Sequence, residues 1–231
     1  MDLQQTVNAM THRFLDRTDA GRALAGVLTR YRADTNAVVL ALPRGGVPVA
    51  YEVASALDLP LDVLVVRKLG LPSQPELAMG AVASGGAVVL NEDVVRYLPR
   101  GSDAVEQVKA RELLELERRE KTYRGDRPVL QMRGRTGILV DDGLATGATM
   151  EAAVRALRSL DAERVVVAVP VASIEARERI AAVADEVVCL QTPPFFSAVG
   201  QWYERFDQTE DEEVRELLAR SQAAFSAGSE A

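Results

Sequence analysis

Short apolar runs alternate with longer amphipathic stretches along most of this chain. The apolar runs are rich in Val, Ile and Leu and have the length of buried strands, and the stretches between them carry apolar residues at helical spacing. Strands that are apolar on both faces and separated by helices are typical of a parallel sheet covered by helices on both sides. The pattern therefore predicts an α/β fold. The predicted strands cover 36–43, 61–70, 137–142, 163–172 and 185–191.

Two regions interrupt this alternation. Residues 70–91 mix proline and glycine with apolar residues, which predicts a hairpin around Gly85 and Gly86. Residues 102–128 are dense in Glu and Arg and predict a long charged helix that begins at Ser102 or Asp103. Such a helix usually exposes its charges to water, and the alternative is that arginines turn toward an anionic ligand or a partner subunit. The candidates for that alternative are Arg111, Arg118 and Arg119.

Composition narrows the classes of function. The net charge of -7 and the pI near 5.0 argue against general binding of nucleic acid or of an anionic membrane. With one cysteine (Cys189) and one histidine (His12), an intrachain disulfide, a multi-cysteine zinc site and triad catalysis have little support. The start of the chain does not resemble a signal peptide, and no run reaches about 20 apolar residues, so we expect a cytoplasmic protein.

The residues that follow three of the predicted strands carry the candidate chemistry. Arg44, Gly45 and Gly46 follow the first strand, Arg67 and Lys68 follow the apolar part of the second, and Asp141 and Asp142 follow the third. In parallel sheets, ligands bind at the carboxyl ends of the strands. We therefore expect these residues to meet in one crevice that offers two cationic anchors and one anionic anchor.

The loop after the two acids is built for an anion. Thr146, Gly147, Ala148 and Thr149 have little side-chain bulk and lead into a predicted helix, whose first amides and dipole favour a phosphate. The loop is not a nucleotide-binding P-loop, because the segment 137–150 contains no lysine. Two acids that can accept hydroxyl groups, followed by a phosphate cradle, indicate a sugar phosphate as ligand.

The segment "GILVDDGLATGATM" (137–150) resembles the signature of the type I phosphoribosyltransferases, which use 5-phosphoribosyl pyrophosphate. The resemblance implies that Asp141 and Asp142 bind the ribose hydroxyls. It implies that the 5-phosphate is bound by Ala145, Thr146, Gly147, Ala148 and Thr149. Gly143 departs from the signature, where a branched apolar residue is usual.

Two further segments are similar to this family. "PRGG" resembles the pyrophosphate loop of bacterial xanthine-guanine enzymes, which implies that Arg44, Gly45 and Gly46 hold pyrophosphate; we place a cis peptide at Arg44–Gly45. Arg67 and Lys68 resemble a basic pair that contributes to pyrophosphate binding and catalysis. Residues 70–80 correspond to a mobile catalytic loop, in which Glu76 is the candidate acid.

The implied reaction displaces pyrophosphate from C1 of the ribose by a nitrogen nucleophile. Mg²⁺ is the implied cofactor, held by Asp141 and Asp142 through substrate hydroxyls or water. The expected acceptor is a nucleobase, as in base salvage. Ala145 stands where hypoxanthine and guanine enzymes carry an acid near the base, so that version of base activation is absent. Phe195 or Phe196 could stack on the base or pack a domain edge.

We expect one domain over 1–231, with a core over 36–190, an insertion over 70–128 and a C-terminal hood and tail over 191–231. Together with 1–31, the C-terminal part could cover the acceptor or form the interface of a homodimer. Two functions remain open. One is a working transferase, and the alternative is a non-catalytic sensor that binds the sugar pyrophosphate and regulates a partner.

Overall fold

The computed structural model describes residues 13–97 and 103–228, without the side chains of 75–76 and 227–228. His12 and Ser102 therefore lie outside the described residues. The strands are β1 (Ala37–Ala41), β2 (Leu61–Val63), β3 (Val66–Leu71), β4 (Gln74–Ala83), β5 (Ala87–Leu90), β6 (Thr136–Val140), β7 (Arg164–Val171) and β8 (Glu186–Gln191). The helices are α1 (Arg17–Val27), α2 (Gly46–Leu57), α3 (Glu92–Val95), α4 (Ala104–Arg124), α5 (Ala148–Ser159), α6 (Ile174–Ala181) and α7 (Asp211–Gly228).

A five-stranded parallel sheet forms the centre of the fold, with strand order β2-β1-β6-β7-β8. The chain leaves β1 toward β2 on one side and leaves β6 toward β7 on the other. The strand order therefore reverses between β1 and β6, and in open α/β sheets this reversal opens the ligand-binding crevice. The predicted α/β fold, with a central parallel sheet flanked by helices, is confirmed.

The continuous apolar run of β1 reflects burial of both faces of the sheet. Val39 points into a core that it shares with Val53 of α2, and Leu40 points into a second core that it shares with Leu157 of α5. All five residues of β1 are buried, as are all five of β6. A strand that packs helices on both sides has no face left for polar residues.

The predicted strand over 61–70 is wrong as one strand. The parallel strand β2 ends at Val63, and β3 starts a separate antiparallel sheet with order β3-β4-β5. The chain changes sheets at Val65, whose amide donates to Ser84 Oγ at 2.9 Å and whose carbonyl accepts from the Ser84 amide at 2.9 Å. The second sheet begins where this contact, distant in sequence, pulls the chain away from β1.

The predicted hairpin and charged helix are both present. A short 3₁₀ turn over Ser84–Gly86 joins β4 to β5, and Gly85 there has φ of +79°, a left-handed conformation that glycine adopts readily. The segment 70–80, predicted as a loop, includes the end of β3, the turn that follows it and the first part of β4, which together form a second hairpin. Helix α4 begins after Asp103 and packs on β3.

The two terminal segments meet beside the loop that follows β6. Phe14 forms a parallel β-bridge with Tyr203, and the Phe14 amide donates to the Trp202 carbonyl at 2.8 Å. Residues 13–17 and 192–207 together are called the hood below. Helix α7 then packs on α2 and α4 through its buried residues Val214 and Leu218. Over 13–97 and 103–228, no helix combines the length and apolar character needed to cross a membrane.

Candidate functional site

The loops after β1 and β6 are in direct contact at the reversal of strand order. A Cβ placed on Gly45 would lie 2.2 Å from Asp142 Oδ2, and a Cβ placed on Gly46 would lie 2.7 Å from the Val140 carbonyl oxygen and 3.1 Å from Asp141 Oδ1. A larger side chain at either glycine would therefore displace the acids or the loop. This contact joins the first and third strand ends as the sequence predicted.

Both acids are in a setting that disfavours negative charge. Burial, followed by the neighbouring charge of Asp142, raises the pKa of Asp141 well above its usual value. Burial also raises the pKa of Asp142, although the Arg17 guanidinium opposes this shift. The Asp142 amide donates to Asp141 Oδ1 at 2.9 Å. Both residues retain some exposure to solvent, but two adjacent carboxylates that are largely buried are costly unless a ligand or cation uses them.

Arg17 from α1 is the cation that the structure places on Asp142. Its Nε and Nη2 both lie 2.9 Å from Asp142 Oδ2, and its Nη1 donates to the Asp207 carbonyl at 2.6 Å. The guanidinium also lies 3.9 Å from the centre of the Phe206 ring. The Tyr203 hydroxyl donates to the Asp142 carbonyl at 2.6 Å. Sequence reasoning missed Arg17, because the pairing exists only where the two terminal segments meet.

The loop from Ala145 to Thr149 has the form expected of an anion cradle. Gly147 has φ of +74° and precedes α5 as a residue without a capping side chain. Among the described side chains, Thr146 Oγ1 accepts from the Ala148 amide at the start of the helix, at a long distance of 3.4 Å. Ala145, Thr146, Ala148 and Thr149 are all exposed. Ser173, which the sequence analysis did not single out, steadies the loop by donating from Oγ to the Ala145 carbonyl at 2.8 Å. Because that hydrogen bond is long, the first amides of α5 can turn to an anion.

The β1 loop carries a cis peptide, one residue before the predicted position. The cis bond joins Pro43 to Arg44, so the placement at Arg44–Gly45 is wrong. The Arg44 side chain is one-third exposed, and its Nη1 lies 3.5 Å from Glu210 Oε2 and 3.7 Å from Asp211 Oδ1. This cation is thus paired only loosely with acids at the start of α7.

Residues 12–205 match the family model described as phosphoribosyl transferase domain. The chain belongs to this family. It is 51% identical over 212 residues to the proteins named "Putative phosphoribosyl transferase" in two strains of Mycobacterium tuberculosis, covering 92% of this chain and 48% of each relative. The chain thus spans about half the length of these relatives. A solved structure, TT1426 from Thermus thermophilus, is 47% identical with a TM-score of 0.80, covering 90% of this chain and 98% of that one.

The basic pair of this phosphoribosyl transferase domain lies on β3, not at the end of a parallel strand. Its members lie on opposite sides of the strand, as successive residues of a strand do. Arg67 binds Glu112 of α4, with Nε and Nη2 at 3.0 and 2.6 Å from Oε2, and Arg111 binds the other oxygen of Glu112 at 3.1 Å. These residues and Lys68 line a cleft of about 520 Å³.

Lys68 also borders a second cleft, of about 430 Å³, whose wall includes Ala148 and Thr149 of the phosphate loop. Of the basic pair, Lys68 is therefore the member that shares a cleft with the predicted phosphate site. The other arginines considered on α4, Arg118 and Arg119, pair with Glu115 on the same helix at 2.8 Å, as expected for a solvated face.

The remaining predicted site residues, Phe195, Phe196 and Glu76, differ in their surroundings. Phe195 is 89% exposed, whereas the Phe196 ring stacks on Trp202 with the ring centres 6.4 Å apart. Glu76 belongs to β4, and its side chain is outside the described part of the structure. The roles of Phe195, Phe196 and Glu76 stay predictions.

The departure at Gly143 has a structural reason in this phosphoribosyl transferase domain. A Cβ placed there would lie 2.7 Å from Val199 Cγ1 in the hood and 3.0 Å from Val171 Cγ1 at the end of β7. The space that a branched residue would need is filled by these two valines. The turn after the acids is therefore packed from outside the loop.

Proposed function

We propose that this chain binds 5-phosphoribosyl pyrophosphate in the crevice between β1 and β6 and transfers the phosphoribosyl group to a nitrogen acceptor, releasing pyrophosphate. The observation that carries the proposal is the contact of Gly45 and Gly46 with Asp141 and Asp142. It brings the loop suited to pyrophosphate against the acids suited to ribose. Membership of the phosphoribosyl transferase domain family supports the same reaction class.

Each part of the donor has a matching group in this crevice. The carboxylates of Asp141 and Asp142 accept hydrogen bonds from the ribose hydroxyls. The exposed amides at the start of α5, with the Thr146 and Thr149 hydroxyls, hold the 5-phosphate. Arg44 and the Gly45 amide hold the pyrophosphate, whereas the Gly46 amide already donates to the Leu42 carbonyl at 3.1 Å, so Gly46 contributes by its small size. In this arrangement the two phosphate-bearing ends of the donor are anchored separately, which fixes C1 between them.

The transfer breaks the bond between C1 and the pyrophosphate oxygen and forms a bond between C1 and the acceptor nitrogen. Positive charge develops on the sugar and negative charge on the leaving group. In this proposal Arg44 stabilises the leaving group through its positive charge, once the guanidinium leaves its loose pairing with Glu210 and Asp211. Lys68 could add a second cation from the cleft that it shares with Thr149.

The acids also fit a magnesium ion. The described residues contain no cluster of three or more His, Cys, Asp or Glu side chains suited to a metal, but Mg²⁺ is commonly held by one or two carboxylates together with substrate oxygens and water. Asp141 and Asp142 would hold it in that way. When bound, the ion would neutralise negative charge on the pyrophosphate.

The acceptor is proposed to be a nucleobase or a related heterocycle that enters beside the hood. Phe196, stacked on Trp202, offers an aromatic surface there. Ala145 contributes only a methyl group, so the proton of the acceptor must leave to another group or to water. This absence favours acceptors whose reactive nitrogen is already a good nucleophile.

The test is to incubate the protein with Mg²⁺, the sugar pyrophosphate and a panel of bases, and to follow release of pyrophosphate. We expect release with at least one base, and none from the Asp141→Asn/Asp142→Asn variant, whose carboxylates are replaced by neutral groups of the same shape. If the donor binds tightly but no base causes release of pyrophosphate, the transferase hypothesis is refuted in favour of the non-catalytic sensor. Unchanged donor affinity in the double variant would refute the site itself.

A further inference from the structure

Arg17 holds Asp142 through a single carboxylate oxygen. Both Nε and Nη2 lie 2.9 Å from Oδ2, which leaves Oδ1 outside the ion pair. On its other side, Oδ2 lies against the backbone of Gly45, where a Cβ would come within 2.2 Å. The carboxylate is therefore fixed in orientation by one oxygen, while the other can accept a hydrogen bond from a ligand.

The arginine is itself firmly held. Its side chain is 12% exposed, its third nitrogen donates to the Asp207 carbonyl at 2.6 Å, and its Cζ atom lies over the Phe206 ring, 3.9 Å from the ring centre. A planar guanidinium that uses all its nitrogens and stacks on a ring is a pre-organised group. Displacing it would break all of these contacts at once, so it is suited to stay in place when a ligand binds.

We propose that Arg17 is a positioning residue for the donor sugar: by holding Oδ2 of Asp142 it directs Oδ1 toward a ribose hydroxyl without touching the sugar itself. This inference rests on the proposed function, because it presumes that Asp142 binds the ribose. It extends the site to α1, and through Phe206 and Asp207 to the C-terminal segment, neither of which contains the signature residues.

The proposal makes a ligand-specific prediction. Ribose 5-phosphate and 5-phosphoribosyl pyrophosphate both carry the hydroxyls that Asp142 would bind, whereas inorganic pyrophosphate carries none. Loss of Arg17 should therefore weaken the first two ligands and spare the third. A merely structural role would weaken all three alike, because a disturbed crevice affects every anchor.

The experiment measures the Kd of each ligand by calorimetry for the wild type, Arg17→Gln and Arg17→Lys. It is done without added Mg²⁺, because Asp142 is itself a proposed ligand of that ion. We expect Arg17→Gln to raise the Kd of both ribose ligands about 10- to 100-fold, the range typical when a partner behind a ligating side chain is lost. The Kd values of Arg17→Lys should lie between those of the wild type and those of Arg17→Gln, because an ammonium restores the charge but not the two-nitrogen contact.

Arg22→Gln is the matched control. Arg22 lies on the same helix, but its side chain is 70% exposed and pairs with Glu52 at 3.0 Å. It should leave all three affinities unchanged. If Arg17→Gln does not fold, as judged by its thermal midpoint, Arg17→Lys alone decides between the outcomes.

Equal weakening of all three ligands, unchanged affinity, or tighter binding of the ribose ligands would overturn the positioning role. Tighter binding would mean that Arg17 competes with the sugar for Asp142. If the wild type bound none of the ligands, the proposed function would fail together with this inference. If it bound them and only the variants behaved otherwise, the inference alone would fail.

Discussion

Gly45→Ala tests the contact that joins the two loops of the site. The backbone of Gly45 has φ of -58° and ψ of -31°, which alanine adopts without strain, so the substitution changes only the space around Cβ. The added methyl group would lie 2.2 Å from Asp142 Oδ2 and 2.9 Å from its Cγ. Either the loop or the acid must move.

The size of this movement sets the expected loss. Comfortable contacts between carbon atoms lie at about 3.5–4.0 Å, so the two groups must separate by about 1 Å or more. Asp142 is held by Arg17 and cannot rotate away easily. A misplacement of about 1 Å typically costs about 100-fold in rate, or about 2.7 kcal/mol. We therefore expect kcat/KM to fall about 100-fold, with the donor bound more weakly.

The assay is pyrophosphate release with the base found to be active, together with calorimetric donor binding and a thermal melt. Gly26→Ala provides the matched control: it lies on α1, its added Cβ meets nothing within 4 Å, and alanine there should stabilise the helix by up to about 1 kcal/mol. A Gly45→Ala protein with wild-type donor affinity and rate would show that the acids and the β1 loop do not act together.

Removing the acids that face Arg44 should strengthen binding of pyrophosphate. The pairs of Arg44 with Glu210 and Asp211 are long and exposed, so Glu210→Gln/Asp211→Asn should lower the pyrophosphate Kd only about 2- to 5-fold, and a raised Kd by calorimetry would contradict this. Asp141→Asn should abolish donor binding. At neutral pH it should nevertheless raise the free energy of unfolding by roughly 0.5–2 kcal/mol, and with it the thermal midpoint. A lowered midpoint would contradict the burial argument.

The stabilisation expected for Asp141→Asn follows from the linkage between proton binding and folding. Burial raises the pKa of Asp141 in the folded chain above its unfolded value, so protonation favours folding. This stabilisation is fully present below the unfolded pKa and is lost as the pH rises through the folded pKa. At neutral pH, replacing the carboxylate of Asp141 by an amide removes the cost of burying its charge.

The matched control for Glu210→Gln/Asp211→Asn is Glu212→Gln/Glu213→Gln. It removes the same charge from the start of α7 and should leave pyrophosphate binding nearly unchanged.

The loops after β1 and β6 could be predicted because each follows a strand whose residues are all buried. The sequence shows such strands as unbroken apolar runs, and the parallel sheet then brings their carboxyl ends together. The same rule misplaced Arg67, because the apolar run over 61–66 does not reveal where the chain leaves the sheet. That break depends on Ser84, which binds Val65 from 19 residues further along the chain.

The hood could not be derived from local pattern because it depends on contacts between the ends of the chain. Arg17 lies in an ordinary helical stretch, and the packing of α1 on α2 together with the bridge from Phe14 to Tyr203 brings it near Asp142, 125 residues away. Helical periodicity reports which residues face a core. It does not report which distant carboxylate a given arginine meets.

Gly143 shows how the hood and the signature loop have become one unit. A branched residue after the acids would normally pack the turn from within, but here Val199 supplies that volume from the hood, and the Tyr203 hydroxyl binds the adjacent Asp142 carbonyl. Arg17 adds a third contact on the Asp142 carboxylate. All three contacts converge on Asp142 and Gly143, so under the proposed function a movement of the hood that admits an acceptor would also displace Asp142. Donor and acceptor binding are therefore expected to be coupled through this segment rather than through Ala145, whose methyl group can contact a base but not hold its proton.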